Sequence, residues 1–304
     1  MSKIALLFPG QGAQHVGMGK DFAENSDICR DLYTKASDVL GYDLAKLSFD
    51  GPIEELTKSV HAQPAIFVSS MVAYTLFKEK FPDHSVQAMA GLSSGEWTAL
   101  HLAGVLSFEE TLKVLETRGR LMQEACESRP GSMLTIIGAP DEQLKEVCDA
   151  SGAETANLNS RAQTVLSGSV EAIDAAEVKA KELGIRKAIR LNVAGAFHSS
   201  LMKTAADGFE EYLASVSFNP PSLPVLANVT GQPHAEDSDS IRKAMVDQVC
   251  HSVHWYQGVE WMIEQGITSF VECGPGKVLS GLAKRIDKTC AVRNIGGLKD
   301  LEED

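Results

Sequence analysis

Short apolar runs that end in glycine-containing loops occur along the chain and predict buried parallel strands. Residues Ile4 to Phe8 are all apolar, and Pro9-Gly10-Gln11-Gly12 follows them. A second run, Val86 to Ala90, leads into Gly91-Leu-Ser-Ser-Gly95 and then into the helix-forming residues from Glu96 to Leu102. Short continuous runs bounded by turn residues are typical of strands buried on both faces of a sheet. The second segment therefore predicts a strand, a sharp turn and a helix in succession.

A helical pattern begins after Ser107. The segment Ser107-Phe-Glu-Glu110 has the spacing of a capping box, in which each end side chain accepts a hydrogen bond from the other residue's backbone amide. The positions on one side of the helix that follows are apolar or small: Leu112, Leu115, Gly119 and Met122. We expect Arg118 at the edge of this face.

The segment between Ser132 and Val193 has a different pattern, in which strand-like and helix-like stretches follow the order βαββαβ of a ferredoxin-like unit. In chain order these stretches are 133–137, 141–150, 155–158, 164–167, 170–183 and 186–193. Strand-like runs return at 225–229 and 269–272. We therefore predict a parallel α/β domain, residues 1–128 and 195–304, interrupted by a subdomain of residues 129–194.

The net charge of −13 argues against general binding to nucleic acids or anionic membranes, because such proteins usually carry a basic surface. Four basic residues nevertheless lie close together near the C-terminus: Lys277, Lys284, Arg285 and Lys288. They form either a solvated helix face or a local patch for an acidic partner.

The cysteines and the apolar content predict a cytoplasmic protein. Six cysteines occur without a CxxC pair, which favours free thiols in a reducing compartment. The apolar run at the N-terminus is too short for a signal peptide, and we recognise no apolar stretch of about 18 residues that would span a membrane. Hydrophobic residues make up 44% of the chain and charged residues 23%, as in an ordinary globular protein.

Residues 91–95 match the pattern G-x-S-x-G, in which glycines two residues before and after a serine permit a strained turn that exposes its hydroxyl. Only Ser93 has glycine at both positions, so Ser93 is the candidate nucleophile. The backbone N–H of Ser94 lies at the start of the following helix, where an oxyanion-hole donor belongs. An ordinary turn between a strand and a helix is the alternative.

A serine nucleophile needs a base, and the chain has eight histidines. His101 lies about 12 Å along the helix from Ser93, which is too far for a hydrogen bond. His198 follows a strand-like run and a turn of three small residues, a placement that brings loop residues to the active edge of an α/β fold. His198 is the favoured base, with His251 and His254 as alternatives.

Arg118 is the third candidate residue. A guanidinium group keeps its charge and rarely lies against an apolar helix face without an anionic partner. That partner is either a carboxylate of the protein, which is the commoner case, or a carboxylate of the substrate.

Six segments identify a family: Phe8-Pro-Gly-Gln-Gly12, Gly91-Leu-Ser-Ser-Gly-Glu96, Arg118-Gly119, Gly195-Ala-Phe-His198, Gln248 and Gly274-Pro-Gly-Lys-Val-Leu279. Together they closely resemble the malonyl-CoA:acyl carrier protein transacylases of fatty-acid synthesis and the related acyltransferase domains of polyketide synthases. The resemblance covers nearly the whole chain. It implies an α/β fold with an α/β-hydrolase-like parallel sheet core and an inserted ferredoxin-like subdomain.

The resemblance also implies roles for the candidate residues. Ser93 would be the nucleophile, His198 its general base, and Arg118 the cation that pairs with the free carboxylate of a malonyl group. The backbone amides of Gln11 and Ser94 would form the oxyanion hole. No metal is implied.

The same resemblance implies that the carbonyl oxygen of Gln248 orients His198, in place of the acidic residue of a triad. A neutral carbonyl can fix the imidazole tautomer without adding negative charge to a site that admits malonate. Asn159 matches a polar position near the substrate. Phe197 would crowd an α-methyl branch and favour malonyl over methylmalonyl groups by about 1–3 kcal/mol.

The implied reaction is ping-pong: Ser93 attacks the thioester of malonyl-CoA, coenzyme A leaves, and the phosphopantetheine thiol of acyl carrier protein takes the malonyl group. Malonyl-CoA and acyl carrier protein are the implied partners, with no cofactor, nucleic acid or membrane, and we expect a monomer. Because such carriers are acidic, we expect docking on a basic patch that includes Lys277 and Lys284.

Two departures from the family pattern leave alternatives open. Leu92 stands where the family usually has histidine, and Ser94 stands where it usually has a large apolar residue. Relatives with altered turns include hydrolases of acyl-carrier thioesters, in which water is the acceptor.

A trans-acting polyketide acyltransferase is a further alternative, although a chain without a ketosynthase or carrier segment favours fatty-acid synthesis. The combination of candidate residues disfavours an inactive docking subunit.

Overall fold

The computed structural model describes residues 3–302. Its strands are Lys3–Phe8 (β1), Ser85–Gly91 (β2), Gly131–Ile137 (β3), Glu154–Ser160 (β4), Gln163–Ser169 (β5), Lys187–Arg190 (β6), Val225–Ala227 (β7), Gln232–Pro233 (β8), Ser269–Cys273 (β9) and Ala291–Ile295 (β10). Its α-helices are Lys20–Asn25 (α1), Asp27–Leu40 (α2), Leu44–Asp50 (α3), Ile53–Thr57 (α4), Ser59–Lys80 (α5), Gly95–Leu102 (α6), Phe108–Ser128 (α7), Asp141–Ser151 (α8), Val170–Glu182 (α9), Lys203–Leu213 (α10), Ser238–Cys250 (α11), Trp255–Glu264 (α12) and Val278–Ile286 (α13). Short 3₁₀ helices lie at Ser200–Met202 and Leu298–Leu301.

The larger sheet has the strand order β10-β9-β1-β2-β7-β8. Its first five strands are parallel, and β8 pairs antiparallel with β7. Alternate side chains of β1 pack into two separate cores on opposite faces of the sheet, as its continuous apolar run predicts. At the carboxyl edge Phe8 lies opposite Gly91, so the loops that follow β1 and β2 meet there.

The smaller sheet has the order β4-β5-β3-β6, and its neighbouring strands are antiparallel. In chain order its elements run β3-α8-β4-β5-α9-β6, and the two helices share a core with the strands. The edge strand β4 contacts the rest of the molecule through backbone hydrogen bonds: Leu158 N donates to Val253 O, and Val253 N donates to Ala156 O, both at 2.8 Å. The fold is therefore α/β, with a mainly parallel sheet and a second, antiparallel sheet.

Several boundaries differ from the sequence prediction. The strand expected at 186–193 ends at Arg190, because the residues that follow leave the sheet and line a cavity. Strand β10 was not predicted, because its sequence, Ala-Val-Arg-Asn-Ile, contains two polar residues and is not a continuous apolar run. The strand lies at the edge of the sheet. Helix α5 begins at Ser59 and includes Pro64 within it, whereas a proline favours a helix that begins close to it. The capping box at Ser107 is confirmed.

Helix α5 corrects the expectation that no stretch could span a membrane. By length and composition this helix could span a membrane, since its most apolar window has a mean hydropathy of 1.2. However, 72% of that window is buried inside the protein, where α5 packs against α2 and α7. A helix that is apolar on all sides is typical of a domain interior.

Candidate active site

The loop after β2 holds Ser93 in a strained turn. Its φ angle is 53°, in the left-handed region that residues with a side chain rarely adopt. The flanking glycines are required, because a Cβ atom on Gly91 would lie 1.9 Å from the carbonyl carbon of Gly95, and one on Gly95 would lie 2.2 Å from the oxygen of Phe8. The side chain of Asn228 braces the turn by accepting from Ser93 N (2.7 Å) and donating to Gly91 O (2.8 Å). The predicted sharp turn is confirmed, whereas nothing in the sequence indicated Asn228.

His198 lies beside the hydroxyl of Ser93. Its Nε2 is 2.8 Å from Ser93 Oγ, and its Nδ1 is 2.7 Å from the backbone oxygen of Gln248. Because a carbonyl oxygen only accepts, Nδ1 carries the proton and Nε2 accepts from the hydroxyl. The alternatives His251 and His254 do not line the cavity over Ser93. The fold therefore brings His198 to the candidate nucleophile.

His198 is buried, with only 4% of its surface exposed. Burial, together with the neighbouring Arg118 cation, lowers the pKa of His198 from 6.5 to about 4, although the hydrogen bond to the Gln248 carbonyl opposes this shift. The imidazole is therefore unprotonated across the neutral pH range and can accept a proton.

Arg118 lies inside the protein rather than at the edge of an apolar helix face, since it is 1% exposed. Its Nη2 donates to Ser93 Oγ (3.1 Å) and to Gln248 Oε1 (2.9 Å), and its Nη1 donates to Gln63 Oε1 (2.8 Å). Its Nε has no partner in residues 3–302.

No carboxylate in the described part of the chain forms an ion pair with this guanidinium. Burial lowers the pKa of Arg118 to about 10, which still leaves it charged at neutral pH. A buried cation with only neutral acceptors can bind an anion, because buried charges are usually paired. The commoner alternative, a protein carboxylate as direct partner, is therefore wrong.

Gln248 contacts all three candidate residues. Its backbone carbonyl accepts from His198, as the sequence resemblance implied. Its side chain adds two contacts that were not predicted: Oε1 accepts from Arg118, and Nε2 donates to the backbone oxygen of Ser93 at 3.0 Å. Gln248 is completely buried, so these contacts are shielded from water.

The two amides expected to form an oxyanion hole lie on neighbouring loops. The N–H of Gln11 donates to the hydroxyl of Ser94 at 3.2 Å, so in this state it is not free. The side chain of Gln11 is fixed by Ser59 (2.9 Å) and Gln63 (3.3 Å). The amide of Ser94 itself makes no hydrogen bond to another described residue. An incoming oxyanion would have to displace the Ser94 hydroxyl from Gln11 N.

A cavity of about 210 Å³ opens above Ser93. Its wall is mainly apolar, and Phe197 and Asn159 both contribute to it. Asn159 is 8% exposed, and its Oδ1 has no partner in residues 3–302. The cavity also includes residues that connect the two sheets: Leu191, Asn192, Val193 and Ala194.

Metal chemistry has no evident site in residues 3–302, where no group of three or more His, Cys, Asp or Glu side chains is arranged to hold an ion. The six cysteines are free thiols, as predicted.

Comparisons with known proteins find relatives along nearly the whole chain. The family model "Acyl transferase domain" matches residues 5–292. A malonyl CoA-acyl carrier protein transacylase from Haemophilus influenzae is 39% identical over 310 residues, covering 100% of this chain and 99% of the relative. The transacylase of the same name from Escherichia coli K12 is also 39% identical, covering 95% of this chain and 94% of the relative.

Solved structures give the same result. The malonyl CoA-acyl carrier protein transacylase from Coxiella burnetii has a TM-score of 0.93 at 36% identity, covering 99% of this chain and 96% of that one. A malonyl-transacylase in complex with its type II polyketide acyl-carrier protein has a TM-score of 0.93 at 38% identity, covering 99% and 98% of the two chains.

Proposed function

Because the chain belongs to the acyl transferase family, we propose that it transfers the malonyl group of malonyl-CoA to the phosphopantetheine thiol of acyl carrier protein in fatty-acid synthesis. One observation supports the malonyl group above all: the Arg118 guanidinium, which forms no ion pair within residues 3–302, has its Nη2 3.1 Å from Ser93 Oγ. A malonyl carboxylate is one methylene away from the thioester carbonyl. A cation that binds this carboxylate must therefore lie next to the nucleophile.

In the first half-reaction, His198 Nε2 takes the hydroxyl proton as Ser93 Oγ attacks the thioester carbon. The oxyanion that forms accepts hydrogen bonds from the backbone amides of Gln11 and Ser94. The C–S bond then breaks, His198 protonates the coenzyme A thiolate, and a malonyl ester remains on Ser93.

In the second half-reaction, His198 takes the proton of the carrier's phosphopantetheine thiol. The thiolate attacks the ester carbon, the C–O bond to Ser93 breaks, and His198 returns the proton to the serine oxygen. Arg118 holds the malonyl carboxylate through both steps, and Phe197 and Asn159 contact the acyl group from the cavity wall.

The test is a reconstitution with malonyl-CoA and two forms of one carrier, holo and apo, which differ only in the phosphopantetheine thiol. We expect malonylation of the holo carrier alone. Release of free malonate at the same rate with either carrier would instead support a thioester hydrolase, the alternative suggested by Leu92 and Ser94.

The low pKa of His198 predicts an unusual pH profile. Protonation removes the base, so the acylation rate at limiting malonyl-CoA should fall only as the pH approaches about 4, rather than near 6.5. Removing the neighbouring cation in Arg118→Ala should raise the pKa of His198 and move this acid limb toward neutral pH.

Single-turnover acylation between pH 4 and 8 measures this limb, with recovery of the rate at pH 7.5 as a control for unfolding. Identical acid limbs in the wild type and in Arg118→Ala would contradict the electrostatic coupling between the two side chains.

We propose that the carrier docks beside the cavity on the exposed face formed by Lys277, Lys284, Arg285 and Lys288. Val278, within this face, is 58% exposed, as in a docking surface that combines charge with an apolar contact. The preceding loop lies close to the loop after β1, since a Cβ atom on Gly276 would lie 3.7 Å from the Cβ of Ala13, a neighbour of the cavity-lining Gly12 and Gln14. An acidic partner bound here would be next to the cavity entrance.

Charge reversal tests this surface. Lys284 is unsuitable because its Nζ donates to the backbone oxygen of Cys290, so Lys277→Glu/Lys288→Glu is the better variant. We expect its KM for the carrier to rise about tenfold, while ester formation from malonyl-CoA is unchanged. The matched control, Lys78→Glu/Lys80→Glu, lies at the end of α5 beside the opposite edge of the sheet. An unchanged carrier KM in the first variant would exclude this docking surface.

We further propose that residues 1–128 and 195–304 form an α/β-hydrolase-like catalytic domain and that residues 129–194 form a ferredoxin-like subdomain, with residues 1–2 and 303–304 lying outside the described part of the chain. The sheet order β4-β5-β3-β6 supports the second assignment. We propose that the protein acts in the cytoplasm as a monomer without a cofactor. The chemistry supports the last point, because the reaction needs only a nucleophile, a base and hydrogen-bond donors.

A further inference from the structure

A buried contact between a carboxylate and an imidazole, which the reaction steps do not use, lies behind the nucleophile. Glu96 is the second residue of α6, and His234 directly follows β8. Both side chains are 1% exposed, and His234 Nε2 is 2.6 Å from Glu96 Oε1. Two ionisable groups kept away from water need partners on every polar atom, so what each one contacts determines what it can do.

The second oxygen of Glu96 is also occupied. Glu96 Oε2 accepts from the backbone N–H of Asn228 (3.2 Å) and from Nε2 of Gln248 (2.5 Å). Because an ionised carboxylate only accepts hydrogen bonds, the Gln248 amide must turn its NH₂ group toward Glu96. Its carbonyl oxygen must then face the other way, where it accepts from Arg118 Nη2 at 2.9 Å.

The same contacts place the guanidinium. Arg118 Nη2 donates both to Gln248 Oε1 and to Ser93 Oγ, so the orientation of one amide fixes the group that faces the acyl carbon. The Glu96 carboxylate also offsets the effect of burial on the pKa of Arg118, which favours the cation. A reversed Gln248 amide would point N–H groups at a guanidinium that can only donate.

We propose that His234 and Glu96 are positioning residues for malonyl recognition: His234 fixes the Glu96 carboxylate, Glu96 fixes the Gln248 amide, and Gln248 aims Arg118 at the substrate carboxylate. This relay deepens the proposed function and rests on it. The relay should affect the reaction of a substrate that carries a carboxylate and leave the reaction of one that lacks it unchanged. A purely structural role of the two residues would affect both reactions equally.

The test compares His234→Phe, which keeps the ring without its N–H, with His234→Gln, which keeps a side-chain N–H donor. We expect His234→Phe to lower kcat/KM for malonyl-CoA about tenfold, mainly through KM, and to leave kcat/KM for acetyl-CoA unchanged. His234→Gln should restore most of the malonyl-CoA rate. Thermal unfolding of each variant is measured in parallel.

Equal losses with the two thioesters, or a His234→Gln variant as impaired with malonyl-CoA as His234→Phe, would overturn the relay. If His234→Phe unfolds below the assay temperature, malonyl-CoA and acetyl-CoA are compared in Glu96→Gln instead. The introduced amide can both donate and accept, so it no longer dictates the orientation of the Gln248 amide. A wild-type enzyme that does not prefer malonyl-CoA to acetyl-CoA would contradict the proposed function itself, independently of any variant.

Discussion

Replacement of Ser93 by alanine is expected to lower the rate of carrier malonylation by a factor of about 10⁴ or more, since removal of a nucleophile from a serine enzyme has effects of this size. The reason is that Ser93 Oγ is the hydroxyl within 2.8 Å of the His198 base and within 3.1 Å of Arg118. Residual catalysis would depend on the oxyanion-hole amides alone. The measurement is the initial rate of malonyl-carrier formation, followed by mass spectrometry.

Ser94→Ala is the matched control for this variant. It removes a neighbouring hydroxyl but leaves the Ser94 amide in place, and it frees the N–H of Gln11. A single neutral hydrogen bond contributes about 0.5–1.5 kcal/mol, so the rate should change by about tenfold or less. A Ser93→Ala variant that is no slower than Ser94→Ala would show that another group carries the acyl chain.

Arg118→Ala is expected to reduce kcat/KM for malonyl-CoA by about 150- to 5,000-fold, because losing one partner of a buried ion pair costs about 3–5 kcal/mol. Acetyl-CoA has no carboxylate, so its kcat/KM should fall far less. The ratio of the two values measures recognition of the carboxylate directly.

Arg118→Lys keeps the charge but loses the planar fork that spans Gln63 and Gln248. We expect an intermediate loss with malonyl-CoA, since a lysine presents a point charge in place of paired donors. If Arg118→Ala lowers kcat/KM equally for malonyl-CoA and acetyl-CoA, Arg118 maintains the structure of the site and does not bind the substrate carboxylate.

The parts of the fold that were predictable are those with a local physical cause. The apolar run from Ile4 to Phe8 forms a strand buried on both faces, and the spacing from Ser107 to Glu110 forms the expected capping box. The glycines on either side of Ser93 indicated the strained turn because a side chain at either position would collide with backbone. Each of these features depends on a few consecutive residues.

The parts that were missed depend on residues far apart in the chain. Gln63 and Gln248 lie 55 and 130 residues from Arg118, yet both accept hydrogen bonds from it. Asn228 braces Ser93 from 135 residues away. A polar side chain that is buried by long-range packing has the same local sequence signal as one on the surface. Long-range packing also explains why Arg118 lies inside the protein and not at the edge of a helix face.

The Ser93 ester is tested most directly by the mass of the intact protein after brief mixing with malonyl-CoA, followed by addition of holo carrier. We expect one malonyl adduct on the wild type, located on the peptide that contains Ser93, absent from Ser93→Ala, stable in buffer, and transferred to the carrier when it is added. An adduct that persists in Ser93→Ala, or turnover of malonyl-CoA without any adduct on the wild type, would contradict a covalent mechanism through Ser93.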